Sequence, residues 1–395
     1  RRTRLCRAAA DASNGAKGQA TSLGIGRRRP ARGRYPWFGE CARHRCGNRA
    51  GLLEPMLRSL CAQCAALDEW VEIVVSDNAS TDRTQHVVDA ASALYPITYG
   101  RNETNVGSRN FLVAVERASG DYAWVLGDDD LVLEGGLSAV TEALRANSDV
   151  DYFYANYFTA QMAVRERFIN EGPAARPPSL DDCVVHEPES GRLPSWEYIF
   201  DLPTANAVEV NTSILSSVFR RQQWDRCAGL LRMSEAPMVS AADTELDDLF
   251  PHVKILAHAM VGRPAYYIAG PCALMGQGGQ EWLSDWPAIT LTGMNLALLL
   301  YEELGLDHER LRRLWRSHFV RAAEFMPLVG VGRDVPCMQD YEWRSYLWRS
   351  RRHWGLLAAV VGRRLHPGTS LKRHLPTPLF ELLRDVWRAT GRRAR

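Results

Sequence analysis

The stretch ASGDYAWVLGDDDLV, Ala118 to Val132, decides the fold. Its apolar run, Tyr122 to Leu126, has the length of a strand and stops at Gly127, after which Asp128, Asp129 and Asp130 follow without interruption. Such a run, closed by a turn signal, reads as a buried strand. Three adjacent carboxylates repel one another unless a cation or the donors of a bound ligand offset the charge. In an open α/β sheet, ligands gather at the carboxyl ends of the strands, where these acids stand. The bland alternative is a solvated acidic turn, and the neighbouring sequence argues against it.

Upstream, Val71 to Val75 (VEIVV) is a β-branched run that ends at SDNASTD, Ser76 to Asp82. The short polar side chains of Asp77, Asn78, Ser80 and Asp82 suit a turn that bonds backbone groups and caps the next helix. A helix is expected from about Arg83 to Ala93, then an extended piece at Pro96 to Tyr99. In ETNVGSRNFLVAVERASGDY, Asn105 and Gly107 suit a turn and Ser108 a cap, while Phe111, Leu112, Val115 and Ala118 form an apolar helical face. Strand, polar turn, helix, strand, helix, strand and acid cluster make a right-handed parallel βαβ series.

The combination of DNASTD, NVGSRNFLVAVERASGDY and LGDDD resembles the family 2 glycosyltransferases of the GT-A fold, within them the abequosyltransferase-like group of bacterial surface-polysaccharide synthesis. The resemblance covers residues 48 to about 270; each motif alone is loose, but three in order at this spacing are specific. It implies an α/β architecture, the GT-A nucleotide-diphospho-sugar transferase fold, with a mostly parallel sheet between helices and a helical C-terminal region. It implies inverting transfer of a hexosyl or deoxyhexosyl group from a nucleotide-diphosphate sugar to a hydroxyl of a lipid-linked glycan. By the same likeness Asp77, Asn78, Asn105, Arg109 and Asp128 bind the nucleotide, and Asp130, Asp128 and Asp129 hold a metal on the diphosphate. Hard oxygen ligands select Mg2+ or Mn2+, and such an ion stabilises a departing diphosphate. The family commonly shows Asp-x-Asp-Asp here, whereas this chain has Gly127 at the first of those positions. By string the pair is Asp128 and Asp130, by alignment Asp129 and Asp130; Asp130 belongs to both.

The 395 residues, 46% of them apolar, suffice for one large or two ordinary domains. A net charge of only +2 hides an asymmetry. Lys and Arg number 12 against 2 acids in residues 1–47, 17 against 38 in residues 48–309, and 19 against 6 in residues 310–395. The acidic body lacks the basic face that nucleic-acid phosphates require, so no nucleic acid is expected as a partner. The basic ends suit an anionic membrane. No run approaches 18 apolar residues, so no membrane span is expected. Of the 9 cysteines only Cys61 and Cys64 form a close pair, on a helical pattern from Leu52 to Leu67, and they read as small buried residues rather than zinc ligands. The odd cysteine count and the lack of an export signal favour a cytoplasmic protein, peripheral on the inner membrane face.

Three segments are expected: 1–47, 48–285 as the GT-A domain, and 286–395 as a helical basic region. The first, crowded with Arg, Gly and Ala, has no apolar period and no run of five β-branched or aromatic residues, so no strand is expected in it. It reads as a disordered basic arm or as a wrong-frame stretch replacing a lost first strand; the abrupt change of texture at Asn48 and Arg49, midway through the family's first turn motif, favours the latter. Past the acid cluster the pattern gives a helix over Leu133 to Asn147, a strand over Val150 to Phe158 and a loop or flexible insert over Ile169 to Pro194.

An inverting transferase needs a general base for the acceptor hydroxyl. Relatives carry an acid near the start of a late helix, where Asp243, Glu245, Asp247 and Asp248 lie; Asp248 is the first choice and Asp247 the second. The same acids could simply favour a helix amino terminus. In the tail, Trp315, Trp343, Trp348 and Trp354 alternate with Arg clusters. This suits either a membrane interface or helices packed with Trp inside and Arg outside. The rival activities are a nucleotidyltransferase acting on a sugar phosphate and a catalytically dead or truncated relative.

Overall fold

The computed structural model describes residues 19–27, 34–38, 49–67, 69–171, 179–204, 207–233, 245–277, 286–331, 341 and 343–364. Residues 1–18, 28–33 and 39–48, the centre of the 169–194 insert, Asp243 and the basic end beyond residue 364 lie outside these. The chain divides into two compact units, residues 1–205, 213–229 and 259–282 in the first, and 206–212, 230–258 and 283–395 in the second.

The first unit is built on a mixed sheet with helices. In chain order it runs β1 (Gln19–Arg27), β2 (Arg34–Phe38), α1 (Ala50–Ala66), β3 (Glu69–Trp70), β4 (Glu72–Asp77), α2 (Thr84–Ser92), β5 (Ile97–Arg101), α3 (Asn110–Arg117), β6 (Tyr122–Leu126), β7 (Leu131–Val132), α4 (Gly136–Ala146), β8 (Tyr152–Gln161), α5 (Met162–Glu171), β9 (Gly191–Leu193), β10 (Ser217–Arg220) and β11 (Ala265–Gln277). Sheet order is β5-β4-β2-β1-β6-β10-β8-β11-β7. Strands β4, β5 and β2 pair in parallel, as do β8 and β11. Antiparallel β1 and β10 each bridge two strands of the common direction, so β2, β4, β5, β6, β8 and β11 all point the same way. The α/β expectation therefore holds, with reversed strands woven between the parallel ones.

Burial explains the central strands. Every residue of β6 is buried, as are Ile73 to Asp77 of β4, so both faces are covered and neither strand needs alternation. Of the apolar face read from the sequence, Phe111, Val115 and Ala118 are buried and Leu112 is half-buried, with Ala114 buried beside them. Cys61 and Cys64 are buried on α1, and burial pushes the Cys61 thiol up to about 12.

Two features differ from the sequence reading. Residues before 48 were expected to supply no strand, yet β1 and β2 join the sheet. Backbone accounts for it: buried N–H and C=O groups of β4 and β6 need partners, and a ladder demands backbone rather than β-branched side chains when tertiary context asks for a strand. Residue Thr21 of β1 stands opposite both Val75 of β4 and Leu126 of β6, which sets the carboxyl ends of β4 and β6 level. The segment from 230 to 258, placed by sequence in the GT-A domain, clusters instead with the C-terminal helices. Packing explains this: a Cβ at Gly293, on the helix Trp286–Glu303, would lie 2.1 Å from Cε2 of Phe250, so only glycine admits that ring.

The second unit is helical, with Leu246–Leu249, Trp286–Glu303, His308–Val331, Trp343–Arg349 and Trp354–Arg364 among its helices. Trp315 is fully buried, stacks on His353 with ring centroids 4.4 Å apart, and donates to Glu302 Oε1 at 2.8 Å. His318 beside it is buried and hydrogen-bonded to the Tyr346 hydroxyl at 3.1 Å; burial alone pulls its imidazole down to about 3. Trp348, by contrast, is 63% exposed. The tryptophans thus divide between core and surface. No helix among the described residues is long and apolar enough to cross a membrane.

Helix α4 meets β11 at Gly136, where a Cβ would lie 2.2 Å from the Cys272 carbonyl oxygen. Gly136→Ala should therefore cost about 1–3 kcal/mol, the usual range for overpacking. The urea midpoint reads this directly, and an unchanged midpoint would disprove the contact.

Candidate functional site

The site forms at the level carboxyl ends of β4 and β6. Beyond β4, the Asp77 carboxylate is 1% exposed and fully engaged: Oδ1 accepts the Ser80 N–H at 2.8 Å, and Oδ2 accepts the Tyr99 hydroxyl at 2.7 Å. Arg101 Nε stands 3.6 Å from Oδ2. The turn carries Ala79 at φ 65°, a left-handed conformation that a non-glycine residue holds only when its surroundings enforce it. Asn78 does part of the enforcing. Its Nδ2 donates to Asn105 Oδ1 at 2.7 Å, and its Oδ1 accepts the Val106 N–H at 2.8 Å. Asp77, Asn78 and Asn105 are thus brought together, and Arg109 lies half-buried two residues past Gly107.

Asp82 closes the turn by bridging two helix starts. Its Oδ1 accepts Thr84 N–H of α2 at 3.0 Å, and its Oδ2 accepts Ala50 N–H of α1 at 3.0 Å. Each otherwise unpaired terminal donor gains a carboxylate, as helix ends require. Immediately before Ala50 stands Arg49, 8% exposed.

Beyond β6, all three acids are buried: Asp128 at 0%, Asp129 at 8% and Asp130 at 7% exposure. Arg49 Nη2 lies 3.0 Å from Asp128 Oδ1 and 2.9 Å from Asp129 Oδ2. Asp130 turns back on its own loop, with Oδ2 accepting the Gly127 N–H at 2.6 Å. A second arginine, Arg165 of α5, is 1% exposed and donates from Nη2 to the carbonyls of Leu52 (2.9 Å), Asp128 (3.1 Å) and Asp130 (3.3 Å). Its Nε is buried and makes no hydrogen bond among the described residues. Gly276 of β11 lets this assembly close, because a Cβ there would lie 2.5 Å from the Asp129 carbonyl oxygen.

Arg49 was legible only as the end of a turn motif, and Arg165 not at all: within MAVRERFINE nothing distinguishes it from exposed Arg167. A buried polar group behind the turn was also missed. Arg117 Nη1 donates to Ser76 Oγ at 2.6 Å and to Gly100 O at 2.8 Å, while Asn110 Nδ2 donates to Ser76 O at 2.9 Å. Polar residues on the otherwise apolar face of α3 were the available signal.

The carboxylates are the hard oxygen donors that Mg2+ or Mn2+ prefers. Their arrangement is another matter. Among the described residues no three His, Cys, Asp or Glu side chains converge on a point that could hold a metal. Asp128 and Asp129 face Arg49, and Asp130 faces Gly127. A broad cavity of about 1470 Å³ between α1, α4 and β11 is lined by residues such as Pro55, Leu133, Phe168 and Cys272, and none of the three acids lines it.

The two base candidates lie in the second unit. Asp247, buried, is held by Lys254 Nζ at 2.8 and 2.9 Å and accepts the Arg232 N–H. Asp248 is half-buried. Sequence ranked Asp248 first, and the ion pair gives Asp247 a structural task of its own.

This geometry belongs to the GT-A class of nucleotide-sugar transferase folds, and the fold aligns with S. aureus TarS 1–349 in complex with UDP at a TM-score of 0.54, 15% identity, 88% of this chain and 90% of that one. Residues 46–182 match the model of glycosyl transferase family 2. Abequosyltransferase RfbV of Salmonella typhimurium is 40% identical over 106 residues, 26% of this chain and 32% of that protein. An uncharacterized glycosyltransferase of Haemophilus influenzae is 31% identical over 110 residues, 27% of this chain and 35% of that protein. The chain thus spans about a third of the length of these curated relatives.

Burial, and next the Asp129 carboxylate, push the Asp130 carboxyl from 3.8 up to about 8, against the opposing pull of the Gly127 N–H and Arg165. In the metal-free protein, folded Asp130 keeps a proton between about pH 4 and pH 8 that the unfolded chain has lost, so stability falls as pH rises through this window. Urea unfolding in chelator, compared with Asp130→Asn, checks this. The native protein should lose stability relative to the variant across that window; parallel curves would refute it.

Proposed function

We propose that this chain is a glycosyltransferase that moves a hexosyl or deoxyhexosyl group, with inversion, from a nucleoside-diphosphate sugar to a lipid-linked glycan in surface-polysaccharide synthesis. One observation carries the reading: a polar turn and three buried acids at the level carboxyl ends of two like-directed strands, inside the stretch that matches family 2. That is where open α/β sheets bind nucleotides. The similarity to an abequosyltransferase supports the substrate class.

In this reading Asp77, Asn78, Asn105, Arg109 and Asp128 bind the nucleotide. Asp130, with Asp128 and Asp129, would hold Mg2+ or Mn2+, an ion that would supply charge stabilisation to the departing diphosphate. Asp248 takes the proton of the acceptor hydroxyl. Work at the cytoplasmic face of a membrane fits the exposed Trp348, whose ring carries Arg351 at 4.6 Å, with Arg349 and Arg352 in adjoining turns. An aromatic ring among cations suits an anionic lipid surface.

A panel of nucleotide sugars, assayed for the small product, tests the activity. Release of nucleoside diphosphate is expected; release of pyrophosphate would point to a nucleotidyltransferase, and neither product to a dead relative. With the active donor in hand, Asp248→Asn should lower turnover about 10²-fold or more with donor binding retained. Asp247→Asn should instead lower thermal stability by stripping Lys254 of its partner. The reverse pattern would exchange their roles. Trp348→Ala should weaken binding to phosphatidylserine vesicles, with native binding falling as salt screens the charges over roughly 10 Å at 0.1 M. Equal binding by both proteins would remove this face from the membrane.

A further inference from the structure

We infer that Arg49 is an exchangeable counter-ion of the acid cluster, so that its guanidinium and a divalent cation are alternative partners of Asp128 and Asp129. The inference rests on the donor-site reading above. The residues that should present oxygens to a metal present them to an arginine: one nitrogen, Nη2, lies 3.0 Å from Asp128 and 2.9 Å from Asp129. A Mg2+ or Mn2+ ion bound by carboxylates would need those same oxygens at roughly 2.0–2.6 Å. It would then sit against a guanidinium that cannot shed its proton. Two cations cannot share that space in a buried site, where charges interact far more strongly than in water.

The charge balance shows why a cation must always be present. Three carboxylates are buried within one loop; Arg165 attracts them electrostatically but directs its Nη2 hydrogen bonds to backbone carbonyls, so Arg49 is the arginine in direct ion-pair contact with Asp128 and Asp129. The nearby Arg165 Nε, buried without a hydrogen-bond partner among the described residues, shows that polar capacity around the loop remains unused in the arginine-closed arrangement. Arg49 is therefore the dominant cation on Asp128 and Asp129. Its removal leaves two buried carboxylates uncompensated, a costly state that a divalent ion relieves. Arg49 thus sets the apparent metal affinity by competition.

Calorimetry with Mn2+ alone, without nucleotide, tests this on the full chain, together with thermal melting with and without Mn2+. Arg49→Met should bind Mn2+ about tenfold or more tightly than the native protein, because the competing buried charge is gone. Mn2+ should also raise the melting temperature of Arg49→Met more than that of the native protein, since a ligand stabilises according to its affinity for the folded state. Arg49→Lys, with one compact charge in place of the fork, should fall between them. It carries the comparison should Arg49→Met fail to fold. Mn2+ affinity unchanged or weakened in both variants would overturn the competition while leaving the metal site standing. No Mn2+ binding by any of the three proteins would overturn both.

Discussion

Three carboxylates buried on consecutive residues form the constraint around which this molecule is built. Asp128, Asp129 and Asp130 stand at the end of β6 with almost no access to water. Such a loop can exist only if cations and donors are brought to it from elsewhere in the chain. Arg49 comes from the start of α1, Arg165 from α5, and the carbonyl of Asp129 is approached by Gly276 of β11. Elements far apart in sequence are therefore fixed to one another by the need to settle one local charge. Burial of the loop also explains why its third member leans toward the neutral form: with burial dominant and Arg49 turned to the other two acids, Asp130 keeps only an N–H and a more distant guanidinium.

The turn after β4 obeys the same logic without excess charge. Asp77 and Asn78 satisfy backbone donors, and the left-handed Ala79 follows them, within the turn that Asp77 closes onto the Ser80 N–H. Behind them Ser76, Asn110 and Arg117 form a buried hydrogen-bonded group that ties β4 to α3. A fully satisfied polar network of this kind fixes one geometry rather than several. The two turns thus present polar groups that are already oriented before any ligand arrives, an arrangement that lowers the ordering cost of binding.

Much of the fold was legible because its central strands are short apolar runs stopped by unmistakable turns. The strands at Glu72–Asp77 and Tyr122–Leu126 and the helix at Asn110–Arg117 lie where periodicity puts them. The early strands did not announce themselves, since Gln19–Arg27 carries glycines and polar residues and pairs through its backbone. The site was half legible. Acids declare themselves by being consecutive, and the DNASTD turn by its composition. Their counter-ions do not, because an arginine destined for burial has the same letter as one bound for solvent; Arg165 and Arg167 differ only in which way the helix faces. Sequence ranks Asp248 above Asp247, but the Lys254 ion pair that engages Asp247 has no signature in the sequence.

Asp82 adds a dynamic consequence. By holding Ala50 N–H of α1 and Thr84 N–H of α2 on one carboxylate, it pins the backbone from which Arg49 projects. A guanidinium leaving Asp128 and Asp129 cannot do so by sliding its helix, since that would break the shared clip. It must swing about its own side-chain torsions. Any exchange of cation at this loop is then a rotamer event, limited by local packing, and stands apart from the slower lid and hinge motions that gate many enclosed sites.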